Sequence, residues 1–405
     1  MDRLWFGCPP PGKRAGRKPV LGEPNEGNLG AVELKWLQAD GAWLEGELVH
    51  GVSVGIWEGR IERIERGPAP GQARRVEGVL LPGAIDLQVN GAGGHGVELG
   101  TPEALDGVAR TVHAGGASAF LPTLITAPMP ALLERIAAVA DWIEARSEAV
   151  AGQAVALGLH VEGPFLEASG AHPEADLVDP TPERVDAILE AGRGLIRLVT
   201  LAPDRPGAPE AVSRLVEAGV CVAIGHAHGT RQLEACIEAG ASMVTHLFNA
   251  MSGLHHRESG IAAHALADTR LCSSIIVDSH HVSREAALVA WRCLGPERTV
   301  LVTDAVSAAG MPDGPHTLSG MPVELRDGAV RDRDGRLAGS SLSMAGAVCG
   351  LGRVAGMLEP GDVAAVTSEN PARLLGDRDR GQLRPGAPAE IAVLGPRGQL
   401  TALLP

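Results

Sequence analysis

The sequence has 405 residues, of which 45% are hydrophobic and 21% charged, and this length can accommodate a barrel of about 250 residues beside a smaller domain. The net charge of -14 disfavours a nucleic-acid-binding protein, although one local arginine can still bind a small anionic group. We find neither an apolar run of about 18 residues nor a signal-peptide pattern, which argues against a membrane-spanning or exported protein.

The first segment of the chain is rich in proline, glycine and charged residues, as in the stretch from Pro9 to Arg14. Such a composition buries little apolar surface, so we expect residues 1–30 to be a disordered tail. The same residues are also compatible with translated sequence upstream of the true start. We assign them no function.

Segments near both ends of the chain have β-like patterns. Val52, Val54 and Ile56 alternate with small or polar residues, and 391–394 is a short apolar run near the other end. We expect 31–80 and 356–405 to pair into one small β-sandwich domain.

Between these segments, short apolar runs alternate with helical stretches, which predicts an α/β fold. Eight runs at regular intervals predict a (β/α)8 barrel over 81–355, although a doubly wound sheet has a similar pattern. The runs are 79–81, 119–121, 156–159, 196–199, 222–224, 243–244, 274–277 and 300–302.

Polar residues follow most of these runs, and this feature favours the barrel. In a barrel the carboxyl ends of all strands surround one mouth, so residues that are distant in sequence converge there. The residues are Asp86, Gln88, Asn90, His160, Glu162, His226, His246, Asp278 and Asp304.

One carboxylate and two imidazoles, from Glu162, His226 and His246, suit a divalent metal that keeps a position open for water. None of the six cysteines forms a C-x-x-C pair, which argues against a thiolate zinc site. Hydrolysis at such a metal needs a general base, and Asp304 is placed for this role.

Each of these four residues also has an ordinary structural explanation. A single histidine beside an apolar run is more often a hydrogen-bonded structural residue, Glu162 could begin a helix, and Asp304 could be an N-cap. Four such residues at the ends of four predicted strands make coincidence a weaker explanation.

Several motifs in this order resemble the N-acetylglucosamine-6-phosphate deacetylases of the amidohydrolase superfamily, from about residue 45 to the C-terminus. The resemblance implies a barrel with a small β-sandwich from both chain ends. The motifs are 82–91, 160–165, 225–226, 245–251, 278–281, 303–305 and 337–341.

The resemblance also implies roles for individual residues. It assigns the metal to Glu162, His226 and His246 and the general base and acid to Asp304. A further set is implied to contact the substrate, namely Ala171, His172, Asn249, Ala250, Arg257, His281, Leu337, Ala338 and Gly339.

Within that set, His172 is implied to polarise the acetyl carbonyl. Asn249, the backbone of Ala250 and Arg257 are implied to bind the phosphate, and His281 is a further substrate histidine. Residues 337–339 match a loop near the sugar.

The sequence departs from the pattern of its relatives at two places. Many amidohydrolases have His-x-His after the first strand, where this chain has Gln88 and Asn90. Glutamine is a weak metal ligand, so Gln88 is a possible neighbour of the metal site and we expect one metal per subunit. Ser279 stands where the family usually has glycine, and it could shift contacts with the sugar.

The expected activity is hydrolysis of N-acetyl-D-glucosamine 6-phosphate to glucosamine 6-phosphate and acetate, in the cytoplasm, with zinc, iron, manganese or cobalt as the metal. The resemblance implies a homodimer, whose partner subunit can complete the substrate site. Three alternatives remain: the N-acetylgalactosamine epimer, a cyclic amide, and a metal-binding barrel without activity.

Overall fold

Strands and helices alternate through the chain in the computed structural model, which describes residues 34–146 and 150–403. The predicted tail, 1–30, lies outside the described residues. The strands are β1 Lys35–Leu44, β2 Glu47–Trp57, β3 Arg60–Arg66, β4 Ala73–Pro82, β5 Ile85–Val89, β6 Gly91–Ala92, β7 His95–Gly96, β8 Ala119–Ile125, β9 Val155–Ala156, β10 Leu159–Glu162, β11 Ile196–Leu201, β12 Cys221–Ile224, β13 Met243–Val244, β14 Cys272–Ile275, β15 Thr299–Leu301, β16 Gly314–Leu318, β17 Met321–Arg326, β18 Ala329–Arg331, β19 Leu337–Ser340, β20 Ile391–Leu394 and β21 Leu400–Leu403.

The helices lie mainly between the strands of the central region, as expected for an α/β fold. No helix among the described residues combines the length and the apolar character needed to cross a membrane. The helices are α1 Pro102–Ala114, α2 Met129–Glu144, α3 Pro182–Gly192, α4 Ala208–Glu217, α5 Leu233–Glu238, α6 Ile261–Ala267, α7 Arg284–Arg298, α8 Met344–Ala355, α9 Pro360–Ala364 and α10 Asn370–Leu374.

The small domain is built on a six-stranded sheet that combines both ends of the described chain, in the order β21-β20-β4-β1-β2-β3. β1 and β2 form a hairpin through Glu45 and Gly46, which both have positive φ, a backbone conformation that suits a tight hairpin turn. Val52, Val54 and Ile56 are buried in the core of this sheet, as their spacing predicts. The pairing of β20 with β4 joins the two chain ends.

Eight parallel strands form the barrel in the order β15-β14-β13-β12-β11-β10-β8-β5. A bridge between Val89 and Ala305 joins its first and last strands, and Asp304 donates its backbone N–H to the Gln88 carbonyl at 3.0 Å. This pairing closes the barrel and excludes the doubly wound sheet, whose edge strands do not pair. The predicted fold class is therefore confirmed, while the domain boundaries stay a prediction.

The first barrel strand differs from the prediction. The run 79–81 belongs to β4 of the small sheet, and the barrel begins with β5, Ile85–Val89. The apolar pattern of β5 is interrupted by Asp86 and Gln88, which are both buried. A buried parallel strand is predicted from an uninterrupted apolar run, so these two polar residues prevented the prediction of β5 from the sequence.

A four-stranded antiparallel sheet, β16 to β19, follows the last barrel strand and was not predicted. Its apolar face packs with barrel residues such as Ile125 and Val306. Ser340 at the end of β19 bridges to Ala305. The sheet therefore holds residues 337–339 near the barrel mouth within a strand, where the resemblance implied a loop.

Candidate metal centre and active-site cavity

Three buried side chains converge at the carboxyl ends of the barrel strands β10, β12 and β13. Glu162 ends β10, while His226 and His246 each lie two residues beyond the ends of β12 and β13. Nε2 of His246 is 3.0 Å and Nε2 of His226 is 3.4 Å from Glu162 Oε1, and the two Nε2 atoms are 3.1 Å apart. The barrel thus brings the three predicted metal ligands together.

The hydrogen bonds of this cluster prepare it for a cation. His226 donates Nδ1–H to the Ala168 carbonyl at 2.8 Å, so its Nε2 carries a lone pair directed at His246 and Glu162. Burial lowers the pKa of His226 to about 4, which favours this neutral form. Although burial acts in the opposite direction, hydrogen bonds from His172 and His246 hold the pKa of Glu162 well below its usual value. An ionised carboxylate with a facing imidazole lone pair fits a divalent cation.

The backbone of this centre is held in an unusual conformation. His226, His246 and Asp304 have φ values of 48°, 30° and 51°, in the left-handed region that residues with a Cβ rarely adopt. Such strain is found mainly where the surrounding structure imposes it at functional sites. Here it directs three side chains inward just after their strands end.

Asp304 lies just beyond the last barrel strand, β15, and is only 9% exposed. Its Oδ1 accepts hydrogen bonds from Asn90 Nδ2 at 2.7 Å and Gln88 Nε2 at 3.1 Å. Gln88 Nε2 also donates to Glu162 Oε1 at 3.0 Å. The Gln88 amide therefore lies between the two carboxylates and donates to both.

The environment of Asp304 raises the pKa of its carboxyl above the ordinary value for aspartate. Burial, followed by the negative charge of Glu162, raises the pKa of its carboxyl to about 7. A carboxyl with a pKa near neutrality can both accept and donate a proton at physiological pH. The residue thus has the acid–base properties expected of a group that transfers protons.

Two further histidines border the centre. His172 Nε2 is 3.6 Å from Glu162 Oε2, and its Nδ1 is 2.8 Å from the hydroxyl of Thr126. His281 Nδ1 is 2.7 Å from Asp278 Oδ2, which holds the ring in one orientation. The sequence predicts Asp278 only as a polar residue at a strand end, and the structure adds its contact with His281.

His160 illustrates the structural alternative for a strand-end histidine. It lies two residues before Glu162, fully buried, with Nε2 2.9 Å from the Thr200 hydroxyl. Burial lowers its pKa to about 4. It is thus a neutral, hydrogen-bonded residue on the barrel side of the metal centre.

A cavity of about 250 Å³ opens over the centre. Among its lining residues, Ile125, Ile276 and Leu318 were not predicted, since single apolar residues carry no sequence signal for a site. The predicted residues that line it are Glu162, Ala171, His172, His226, His246, Asn249, Ala250, His281, Asp304, Leu337 and Gly339.

Two predicted substrate residues do not line this cavity. Ala338 is buried in the core beneath the four-stranded sheet, because its side chain lies on the opposite face of β19 from that of Leu337. Arg257 is exposed, and its Nε donates to His256 at 2.9 Å. A contact between Ala338 and a ligand in the cavity would therefore involve its backbone.

Ser279 is exposed and lies outside the residues that line the cavity, in a left-handed conformation with φ of 71°. This conformation costs a residue with a Cβ about 1–2 kcal/mol. Replacing Ser279 with glycine should raise the free energy of unfolding by about 0.5–1 kcal/mol, after allowance for the greater unfolded-state entropy of glycine. Urea-induced unfolding measures this change. Ser279→Ala, which keeps the Cβ, should leave the midpoint unchanged, and a lower midpoint for the glycine variant would contradict the prediction.

A closed (β/α)8 barrel with a carboxylate, two imidazoles and an aspartate at its mouth is the architecture of a metal-assisted hydrolase. The model of the amidohydrolase family matches residues 79–403, and the chain belongs to this family.

The chain is 37% identical to an N-acetylgalactosamine-6-phosphate deacetylase of Escherichia coli, over 84% of this chain and 89% of that protein. It is 32% identical to an N-acetylglucosamine-6-phosphate deacetylase of Bacillus subtilis, over 86% and 90% of the two chains. The crystal structure of N-acetyl-D-glucosamine-6-phosphate deacetylase from Mycobacterium smegmatis superposes with a TM-score of 0.84 at 31% identity, covering 91% of this chain and 98% of that one. These similarities confirm the predicted resemblance.

Proposed function

We propose that the protein hydrolyses the acetyl amide of N-acetyl-D-glucosamine 6-phosphate, releasing acetate and D-glucosamine 6-phosphate. The observation that carries the proposal is the convergence of Glu162, His226 and His246 with Asp304 in one cavity. The names of the relatives support the choice of an N-acetylated hexosamine phosphate as substrate.

Glu162, His226 and His246 are the residues that would hold one divalent cation. When bound, such a cation lowers the pKa of water and polarises a carbonyl oxygen. We propose zinc, which takes nitrogen and oxygen ligands in this number, while iron, manganese and cobalt accept the same set. Metal analysis of protein purified without added metal distinguishes them.

Asp304 carries the proton transfers in this proposal. Its carboxylate takes a proton from water, and the water oxygen attacks the acetyl carbonyl carbon. As the carbon–nitrogen bond breaks, Asp304 returns the proton to the amine nitrogen. Gln88 and Asn90 hold the carboxylate in place through their hydrogen bonds to Oδ1.

His172 faces the same cavity and is proposed to donate a hydrogen bond to the acetyl oxygen as negative charge develops on it. We assign contacts with the sugar and phosphate to the other residues implied by the resemblance. These are Ala171, Asn249, Ala250, His281, Leu337, Gly339 and the backbone of Ala338.

Arg257 is proposed to bind the phosphate of a substrate held by a second subunit. The Arg257 side chain is exposed and does not line the cavity of its own chain. This position supports a homodimer in which the loop that carries Arg257 contacts the substrate of the partner subunit. A guanidinium is well suited to a phosphate because it donates parallel hydrogen bonds. We also propose that the enzyme acts in the cytoplasm.

The sugar epimer is the second candidate, and a specific similarity favours it. Relatives named N-acetylgalactosamine-6-phosphate deacetylase reach 37% and 39% identity, as high as those named for the glucosamine substrate. An acetate-release assay with both sugar phosphates decides between them. The proposal requires the higher kcat/KM with the glucosamine epimer, and a preference for the galactosamine epimer would overturn that choice.

The need for the phosphate tests the substrate class. We expect kcat/KM to fall by about 10²-fold or more when the unphosphorylated sugar replaces the phosphorylated one, because charge-assisted contacts to phosphate are lost. Arg257→Ala should reduce activity on the phosphorylated sugar only, whereas Arg63→Ala in the small sheet should change neither. Equal activity on both sugars would favour a different amide as the substrate, such as a cyclic amide. Stoichiometric metal without acetate release from any sugar would indicate a barrel without this activity.

A further inference from the structure

Asp86 is a buried carboxylate, 1% exposed, that the proposed reaction does not use. Its Oδ2 accepts a hydrogen bond from the Thr303 hydroxyl at 2.6 Å. Its Oδ1 accepts the backbone N–H groups of Thr303 at 3.2 Å and Gln88 at 3.3 Å. One carboxylate thus holds two segments that are 217 residues apart in the sequence.

The two residues held by Asp86 flank the proposed catalytic group. Thr303 directly precedes Asp304, and the side-chain amide of Gln88 donates to Asp304 Oδ1 at 3.1 Å. Asp304 is also joined to β5 by the backbone bond from its N–H to the Gln88 carbonyl. The position of the Asp304 carboxylate relative to the Gln88 amide therefore depends on the two segments that Asp86 connects.

Asp86 approaches the segments of Thr303 and Gln88 from outside the substrate cavity. It lines a separate cavity of about 540 Å³, together with Thr303 and residues of α1 and the start of α8. The residues found to line this cavity do not include any that line the substrate cavity. Asp86 is thus placed to act on Asp304 only through the barrel wall.

A buried charge at this point is costly unless it is fully hydrogen-bonded. Burial raises the pKa of Asp86 to about 6 against the opposing effect of its hydrogen bonds from Thr303 and Gln88. Three donors around one carboxylate offset much of this cost. A neutral side chain of similar size could fill the space between the two segments, but it could not accept all three hydrogen bonds.

We infer that Asp86 is a positioning residue, which holds Thr303 and Gln88 so that the Asp304 carboxylate lies at the right distance from the metal centre. This inference rests on the proposed deacetylation, in which Asp304 moves the protons. Misplacement of a reacting group by about 1 Å can cost about 10²-fold in rate. We therefore expect a role in turnover with little effect on substrate binding.

The test compares three single variants. Asp86→Asn keeps the shape but weakens the acceptor, Thr303→Val removes the hydroxyl donor, and Thr303→Ser keeps that donor. We expect the first two to lower kcat by about 10- to 100-fold, with KM within about twofold and metal content unchanged. Thr303→Ser should retain most of the activity. Asp86→Asn combined with Thr303→Val should be less than additive in its effect on kcat, since both substitutions act on the bond between the Thr303 hydroxyl and Asp86.

Three results would overturn the inference. They are unchanged kcat in Thr303→Val with its metal bound, loss of metal in step with loss of activity, and a Thr303→Ser variant as slow as Thr303→Val. If Asp86→Asn does not fold, the valine and serine pair alone decides.

A crystal structure of Thr303→Val provides a readout that needs no substrate. We expect the contact between Gln88 Nε2 and Asp304 Oδ1 to lengthen or break, and an unchanged contact would count against the inference. If the wild type releases no acetate from any sugar phosphate, the proposed function fails. In that case the distance between Gln88 Nε2 and Asp304 Oδ1 in Thr303→Val tests the positioning role by itself.

Discussion

Replacing Asp304 with asparagine is expected to lower kcat by about 10²–10⁴-fold, the usual contribution of a general acid–base group. Asparagine keeps the size of the side chain, and its oxygen can still accept from Gln88 and Asn90. It cannot take up or return a proton. The metal should stay bound, because Glu162, His226 and His246 are unchanged.

Steady-state acetate release and metal content, measured on the same preparation, test this prediction. Asp334→Asn is a matched control, since Asp334 is an exposed carboxylate in the turn between β18 and β19. Near-normal turnover of the Asp304 variant would rule out its role. Loss of activity that merely follows loss of metal would point to a structural role.

The pH dependence of kcat/KM provides a second test of the role of Asp304. Only the unprotonated Asp304 carboxylate accepts a proton, so kcat/KM should fall as the pH is lowered through its pKa. Burial and Glu162 raise this pKa to about 7 in the metal-free chain, and a nearby cation moves it back down. The acidic limb of the profile should therefore lie below neutral pH, and it should be absent from any residual activity of Asp304→Asn.

Loss of a metal ligand is the second large effect that we expect. His246→Ala removes a nitrogen that lies 3.0 Å from Glu162 and 3.1 Å from His226. Metal content should fall well below one per chain, and kcat/KM should fall by about 10³-fold or more, because Lewis-acid assistance is worth several kcal/mol. His50→Ala, in β2 of the small sheet, is the control and should change neither quantity.

Chelation of the wild-type protein should reproduce this loss reversibly. Adding zinc, cobalt, manganese or iron should restore activity to different extents. A ligand that binds only the folded state stabilises it, so the melting temperature should rise on metal addition to the wild type and hardly at all for His246→Ala. Full activity in extensively chelated protein, or an equal rise for the variant, would contradict the metal site.

The convergence of the three proposed metal ligands could be predicted because of how barrels are built. Glu162, His226 and His246 each follow a short apolar run, and a barrel brings all such strand ends to one mouth. Residue type and position at the end of a run were therefore enough to predict that they meet. Distances and ring orientations, such as the bond from His226 to the Ala168 carbonyl, depend on loops that have no such pattern.

Contacts between remote segments were beyond prediction from pattern alone. Asp86 and Thr303 lie in two motifs far apart in the sequence, and their hydrogen bond exists because β5 and β15 close the barrel. Asp86 and Gln88 also interrupt the apolar pattern of β5, so the sequence did not indicate this strand. The left-handed backbone conformation of Ser279 was also unpredictable, since serine rarely adopts it.

The sequence by itself thus determined the alternation of strands and helices, the pairing of both chain ends and the chemistry gathered at the mouth. These features follow from local periodicity and residue type, which the linear chain carries directly. Only the tertiary structure decided that Gln88 lies between two carboxylates, that Arg257 lies outside its own cavity, and that Asp86 connects the first and last strands. Each of these depends on barrel closure and on side-chain direction, which arise when residues far apart in sequence pack together.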